Sequence, residues 1–423
     1  MPGVEKGILK GLLVLLALLL LTSCSEQDTV QRDSSFQKDV SSMALKIYVC
    51  RDVRGDYIKE ACEEFNKNSD NISIEVTDFG EDFIAYCNKT STELMVGEGP
   101  DIITMNTSTF SSIHKAVSSG AFYGLDVLFE KDKDINLSDY NEKVLESGVF
   151  NGKRYLVPLD YNINVLTTTE EKLDRDNFTI PDTGKFDWEE ISGIVDLYIL
   201  KNKEKYFFEW MNPIVFFQTS GLDFVDAQNK TMGFTSPEFI KLLELYKKVY
   251  NASIPEKLIK QKDYDYNFMD SSSLVFIDNN FMNKGTAALY GTEKRKIYPI
   301  EMSGMEGKVT AFPYALAGIN PRCGDKKAAF EYIKLLISEK MQKSPKLQSV
   351  PVNNAAFRYG RQEGNEYDEL AVKLSENIGR CEIFEGGVYT IMKQEIEDFM
   401  NGRKTSKEAA GNIQDRVGIY LNE

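Results

Sequence analysis

The side chains able to do acid–base or metal chemistry are unevenly stocked. One histidine, His114, stands beside 65 Asp and Glu and 50 Lys and Arg in 423 residues. A Ser–His or Cys–His nucleophile has only His114 to use, and a two-histidine zinc site within this chain is impossible. His114 follows Ser111-Ser112-Ile113 at a helix start, which favours a surface or capping role over catalysis. Neither GxxxxGK[ST] nor HExxH occurs. Five cysteines follow Cys24, namely Cys50, Cys62, Cys87, Cys323 and Cys381. An odd, widely spaced set without CxxC implies no disulfide framework and no metal site, although one bridge stays open. No cofactor is expected. Carboxylate-pair chemistry remains, and so does binding without chemistry. A net charge of −15 argues against nucleic acid as a partner.

The elements that must position any site alternate. Lys46–Cys50 is a short β-type run ahead of a polar loop, Arg51–Gly55. Tyr57, Ile58, Ala61, Cys62 and Phe65 then share one face of a helix over 56–67. Ile72–Val76 alternates as a strand, 82–96 reads as a helix, and Gly97-Glu-Gly-Pro100 stops it before a strand at 101–104. This β-α-β-α-β order predicts an α/β fold with an open parallel sheet. Ligands on such sheets bind beyond the carboxyl ends of the strands. Three loops are thereby singled out: one with Asp52 and Arg54, one with Asp78 and Phe79, and one with Asn106. Solvated turns remain the alternative for the first two. Asp101 is expected to fix the backbone. The acidic runs 130–134 and 363–369 read as solvated faces.

The N-terminus reads as an address. Lys6 and Lys10 precede an apolar run from Gly11 to Leu21, which at about 1.5 Å per residue spans only about half of a roughly 30 Å bilayer core. A basic start with a short apolar segment is the pattern of a signal peptide over 1–23. Leu21-Thr22-Ser23-Cys24 resembles a bacterial lipobox, which implies acylation of Cys24 and a membrane-anchored lipoprotein outside the cytoplasm. Residues 24–44 read as a polar tether. The rest, with 42% hydrophobic and 11% aromatic residues overall, is too apolar to be disordered and long enough for two lobes.

Gly97-Glu-Gly-Pro-Asp-Ile-Ile103 resembles the G-x-x-PD-hydrophobic signature of family 1 extracellular solute-binding proteins, the sugar-binding lipoproteins of bacterial ABC importers. Further matches follow in the family's order: Gly120–Asp126, Asn151–Pro158, Asn283–Leu289 (with Leu289 for the usual methionine), Phe312–Ala317 with Lys326–Ile337 and Gln342, and Thr405–Val417. Together they run from about Lys46 to Leu421. One departure is Thr168-Thr169, where the family carries a tyrosine–asparagine pair.

The resemblance implies a two-lobed periplasmic-binding-protein-like fold with hinge crossovers and ligand enclosed between lobes. The first lobe is expected over 45–127 plus 286–318, and the second over 128–285 plus 319–423. It also implies a monomer that captures a sugar or oligosaccharide and delivers it to ABC transporter permease subunits. A sugar site needs aromatic plates and planar polar groups. The resemblance puts Asp160 and Tyr161 in the cleft and an aromatic near Tyr389. Trp210, Tyr290 and Tyr314 are further stacking candidates, with core packing the alternative for Trp210. Trp188 looks like a family helix start and is expected to pack. Two other readings stay open: a surface-anchored carbohydrate-active enzyme using paired carboxylates, and a receptor feeding a sensor kinase.

Overall fold

A computed structural model describes residues 43–283 and 294–423. The signal segment, Cys24, most of the expected tether and Tyr290 lie outside these described residues.

Short β-branched and aromatic runs form the first sheet, in the order Ile72–Asp78, Met43–Val49, Ile102–Asn106, Ala315–Ile319, Val157–Pro158. Its first three strands are parallel, with Ile47 opposite both Val76 and Ile102. Ala315–Ile319 returns antiparallel, Ala315 facing Asn106. Helix Gly55–Asn68 buries Tyr57, Ile58, Ala61 and Cys62, the face predicted from spacing. Its start depends on Gly55, where a Cβ would meet the Cys50 carbonyl oxygen at 2.8 Å. Asp101 accepts from the Lys46 amide at 2.9 Å and so ties the third strand to the first.

Two further large sheets follow, beside two two-stranded ones. One orders Arg295–Pro299, Val165–Thr169, Ser273–Asp278 and Tyr206–Phe208. The other orders Glu301–Met302, Met305–Pro313, Asp160–Ile163 and Val350–Pro351, with Ile378–Cys381 beside Met305–Pro313. Single residues join the sheets: Leu159 between Val157–Pro158 and Asp160–Ile163, and Tyr314 between Met305–Pro313 and Ala315–Ile319. The chain passes between lobes within extended strands, so no Gly/Ser-rich linker is needed.

The buried apolar residues gather into two large clusters and two smaller ones among the described residues. The first includes Leu45, Ile47, Tyr57, Ile58, Tyr332 and Ile333. Helix Lys326–Leu336, which the expected bounds assign to the second lobe, packs on helix Gly55–Asn68 and strand Ala315–Ile319. The second cluster is aromatic, with Phe207, Phe208, Phe216, Phe217, Phe234 and Phe239 all buried. Each ring contributes roughly 2–3 kcal/mol by leaving water. Trp188 belongs to this core as expected, its indole donating to the Thr219 hydroxyl at 2.9 Å. All five described cysteines are free thiols, and no described helix is long and apolar enough to cross a membrane.

Candidate functional site

A cavity of about 450 Å³ opens where strand ends from different sheets converge. Arg54 follows Met43–Val49, Thr107 and Ser108 follow Ile102–Asn106, and Asn279 and Asn280 follow Ser273–Asp278. Tyr314 enters from the crossover, and Gly386 and Tyr389 from the first turn of helix Gly386–Met400. Of the three loops expected at the strand ends, those after Met43–Val49 and Ile102–Asn106 reach this cavity and the one after Ile72–Asp78 does not.

Arg54 reaches the cavity because its backbone is left-handed (φ 59°) between a 3-10 turn and helix Gly55–Asn68. Its Nε donates to Asp160 Oδ2 at 2.5 Å, and its guanidinium lies over the Tyr314 ring, 4.4 Å from the centroid. Asp160 is fully buried behind it, and its other oxygen accepts from the Ala315 amide at 2.8 Å. One face of Tyr314 is thus covered by Arg54, while the side chain stays 36% exposed.

Arg54, Tyr314 and Tyr389 line the cavity; Asp160 and Asn106 support it from behind. Asn106 accepts from the Ser108 amide at 2.9 Å and donates to the Asp52 carbonyl at 3.3 Å, fixing the loop that presents Thr107 and Ser108. Asp52 itself is exposed and outside the lining. Asp78 and Phe79 are also away from it, because Ile72–Asp78 is the edge strand. Asp78 pairs with Lys59 at 2.9 Å, which draws its carboxyl below the usual range, and Phe79 packs on Tyr48 and Tyr86. Tyr161, expected in the cleft, is buried with its hydroxyl 2.9 Å from Ser375 Oγ. On strand Asp160–Ile163 its neighbour Asn162 takes the cavity side instead, as strand alternation requires. Trp210 is not in the core: it is 38% exposed, in the turn before helix Pro213–Thr219, whose Ile214, Val215 and Gln218 line the cavity. Thr168 and Thr169, at the departure from the family pattern, bond to the Leu274 carbonyl and cap helix Glu170–Arg175. Of the two adjacent glycines, Gly386 lines the cavity, whereas the space above Gly387 is filled by the Tyr420 ring.

The amides Asn162, Asn164, Gln218, Asn279, Asn280 and Gln348 dominate the polar lining. Asn164 lines this space but is only 3% exposed, and its buried Nδ2 has no hydrogen-bond partner. Glu382 is the one carboxylate in the described lining. Burial pushes its carboxyl up to about 7 against the pull of Arg380. Asn279 and Asn280 carried a usable signal, since they follow a β-type run as Asn106 does. Gln218 and Gln348 carried none, being fixed by tertiary approach. At the cavity's margin His114 pairs with Glu385, whose backbone leads into helix Gly386–Met400. Burial raises the Glu385 carboxyl, but bonds from His114 outweigh it and hold it below the usual range. Among the described residues no group of three His, Cys, Asp or Glu is placed to hold a metal ion.

Solved structures share this architecture. The sugar-binding protein MalE of Xanthomonas citri superposes with a TM-score of 0.71 at 15% identity, over 90% of this chain and 98% of that one. The GacH receptor of Streptomyces glaucescens, solved unliganded and with acarbose, gives 0.66 at 16%, over 90% and 99%. An ABC substrate-binding protein of Listeria monocytogenes in complex with cycloalternan gives 0.64 at 17%, over 90% and 99%. No curated protein matches the sequence. The sequence of residues 60–359 matches the family described as bacterial extracellular solute-binding protein, and the chain belongs to that family.

Proposed function

We propose that the protein is an extracytoplasmic carbohydrate receptor, anchored through lipid on Cys24, that captures a sugar or oligosaccharide between its lobes for an ABC permease. The observation that carries this reading is Asn164, a buried amide whose Nδ2 donor is unmet beside the cavity. Leaving such a donor unsatisfied costs about 1–3 kcal/mol, which a ligand oxygen would recover. Five more amides surround it, each offering a donor and an acceptor in one plane, the pattern that adjacent hydroxyls require. Tyr314, Phe384 and Tyr389 supply ring faces for the apolar side of a pyranose. The ligands named with the structural neighbours, cycloalternan and acarbose, point the same way.

The test is a thermal-shift screen of the purified protein against mono- and oligosaccharides, with product analysis of the same mixtures. A receptor gives a concentration-dependent rise in Tm following RT ln(1 + [L]/Kd) and returns the sugar unchanged. No shift with any saccharide, or release of hydrolysed product, overturns it.

A further inference from the structure

The first turn of helix Gly386–Met400 brings Gly386 and Tyr389 to the cavity, yet the residue before it does not cap it. Glu385 stands at the cap position, and its side chain bonds to none of the helix amides. A helix start leaves such amides without intrahelical partners, so another group must meet them. Here the Gly387 amide donates to the Ser111 carbonyl at 3.2 Å, and the Tyr420 hydroxyl donates to the same oxygen at 3.2 Å. The Glu385 carboxylate is turned to His114, 271 residues away in sequence. Its Oε1 accepts from the His114 amide at 3.1 Å and pairs with the ring Nδ1. Lys115 completes the group, its ammonium 4.1 Å from the Tyr420 ring centroid.

The two sides of this junction are anchored in different cores. Ile113 and Val117 pack with Ile103, Met105 and Leu316 of the first sheet, and the His114 ring stands edge-on to Phe150 of that cluster, centroids 5.0 Å apart. Phe384, Val388, Met392 and Leu421 belong to the aromatic cluster. Of residues 383–389 only the half-buried Ile383 packs on the former. What joins the sides is therefore mainly polar, and a second cavity of about 450 Å³ beside it takes its walls from both, Phe150 from one and Phe384 and Val388 from the other. Glu385 keeps 3% side-chain exposure and His114 24%. An ionised carboxylate is stable in water or against a partner but not buried alone. Glu385 thus has two favourable settings: docked on His114, or in solvent with the junction parted.

We propose that His114 and Glu385 form a latch: docked, they hold the Ser111–Lys115 segment on the start of helix Gly386–Met400 and keep the cavity closed with Tyr389 seated, and parted, they let it open. His114 is then a positioning residue that touches no ligand. The latch rests on the carbohydrate reading only for what it encloses, and its own test needs no sugar.

The experiment follows amide hydrogen exchange at Gly387 and Tyr389 by NMR in the purified protein, with small-angle scattering of the same samples. The Tyr389 amide donates to the Glu385 carbonyl at 3.0 Å, so it reports whether the first turn is formed. His114→Ala and Glu385→Ala should each speed exchange at both amides, at Gly387 by roughly tenfold or more, and enlarge the radius of gyration, while the Ile47 amide in the first sheet keeps its wild-type rate. The double variant should exchange within about threefold of either single, since the pair acts as one unit. His114→Asn, whose side-chain amide can donate where Nδ1 stands, should recover most of the protection. Unchanged exchange in His114→Ala, equal acceleration at Ile47, no recovery in His114→Asn or an unchanged radius each overturns the latch and leaves the carbohydrate reading standing. A saccharide screen without a single shift overturns that reading alone.

Discussion

Breaking the Arg54–Asp160 pair should cost far more than losing a surface ion pair. Asp160 is fully buried, Arg54 retains 15% side-chain exposure, and the contact is 2.5 Å. Exposed pairs are worth about 0–1 kcal/mol, whereas removing one partner of a buried pair costs about 3–5 kcal/mol because the other charge is stranded. Asp160→Asn keeps an oxygen for the Ala315 amide but turns an amide donor toward the guanidinium. The residual exposure of Arg54 puts the expected loss near the lower end, about 3 kcal/mol. Arg54→Leu leaves the buried carboxylate alone and should lose about as much. With both changed, neither charge remains, so the double variant should lose about 2 kcal/mol less than the sum of the singles. Urea unfolding of the wild type, the two singles and the double, extrapolated to water, measures this coupling. Additivity within about 0.5 kcal/mol would refute the reasoning. Saccharide affinity should fall in both singles, because the Arg54 plane then no longer seats the Tyr314 ring.

Other consequences follow from single contacts. Asp176 is buried, and although burial raises its carboxyl, bonds from Arg175, Lys205 and Tyr198 bring it down to about 2. Its folded value is depressed, so its contribution is complete above the ordinary value of 3.8 and disappears as pH falls toward 2. Asp176→Asn should therefore lose about 1–2 kcal/mol at pH 7 and almost nothing at pH 2, read by urea titrations; an equal loss at both would be contrary. Gly55→Ala should destabilise by about 1–3 kcal/mol and weaken ligand binding, since the Cβ presses on the Cys50 carbonyl and displaces Arg54. Both effects are checked on one purified variant, and full stability would contradict the close approach. Trp210 is exposed and Trp188 buried. Acrylamide quenching of indole emission should thus survive Trp188→Phe and be largely lost in Trp210→Phe.

Local patterning reached some parts of the molecule better than others. The opening strands and helices were legible because their apolar spacing is set by one sheet and its covering helix, as at Tyr57, Ile58 and Ala61. Strand order was not, and it decides which loops meet. Asp78 and Arg54 follow equally plausible strands, yet the edge position of Ile72–Asp78 removes Asp78 from the cavity. At Asp160-Tyr161-Asn162 the segment reaches the cavity, but by a different face than expected: alternation buries Tyr161 and presents Asn162. The amides Gln218 and Gln348 come from distant elements whose approach is a property of packing, so nothing local marks them.

The central claim is that the amide-lined, aromatic-walled cavity binds carbohydrate, and titration of a saccharide found in the screen into the wild type and Tyr314→Ala tests it most directly. The account predicts one site per chain and at least tenfold weaker binding in the variant, since burying an aromatic side chain against the ligand contributes about 1.5–3 kcal/mol. Unchanged affinity in Tyr314→Ala, with the variant folded, would place the sugar elsewhere and contradict the account.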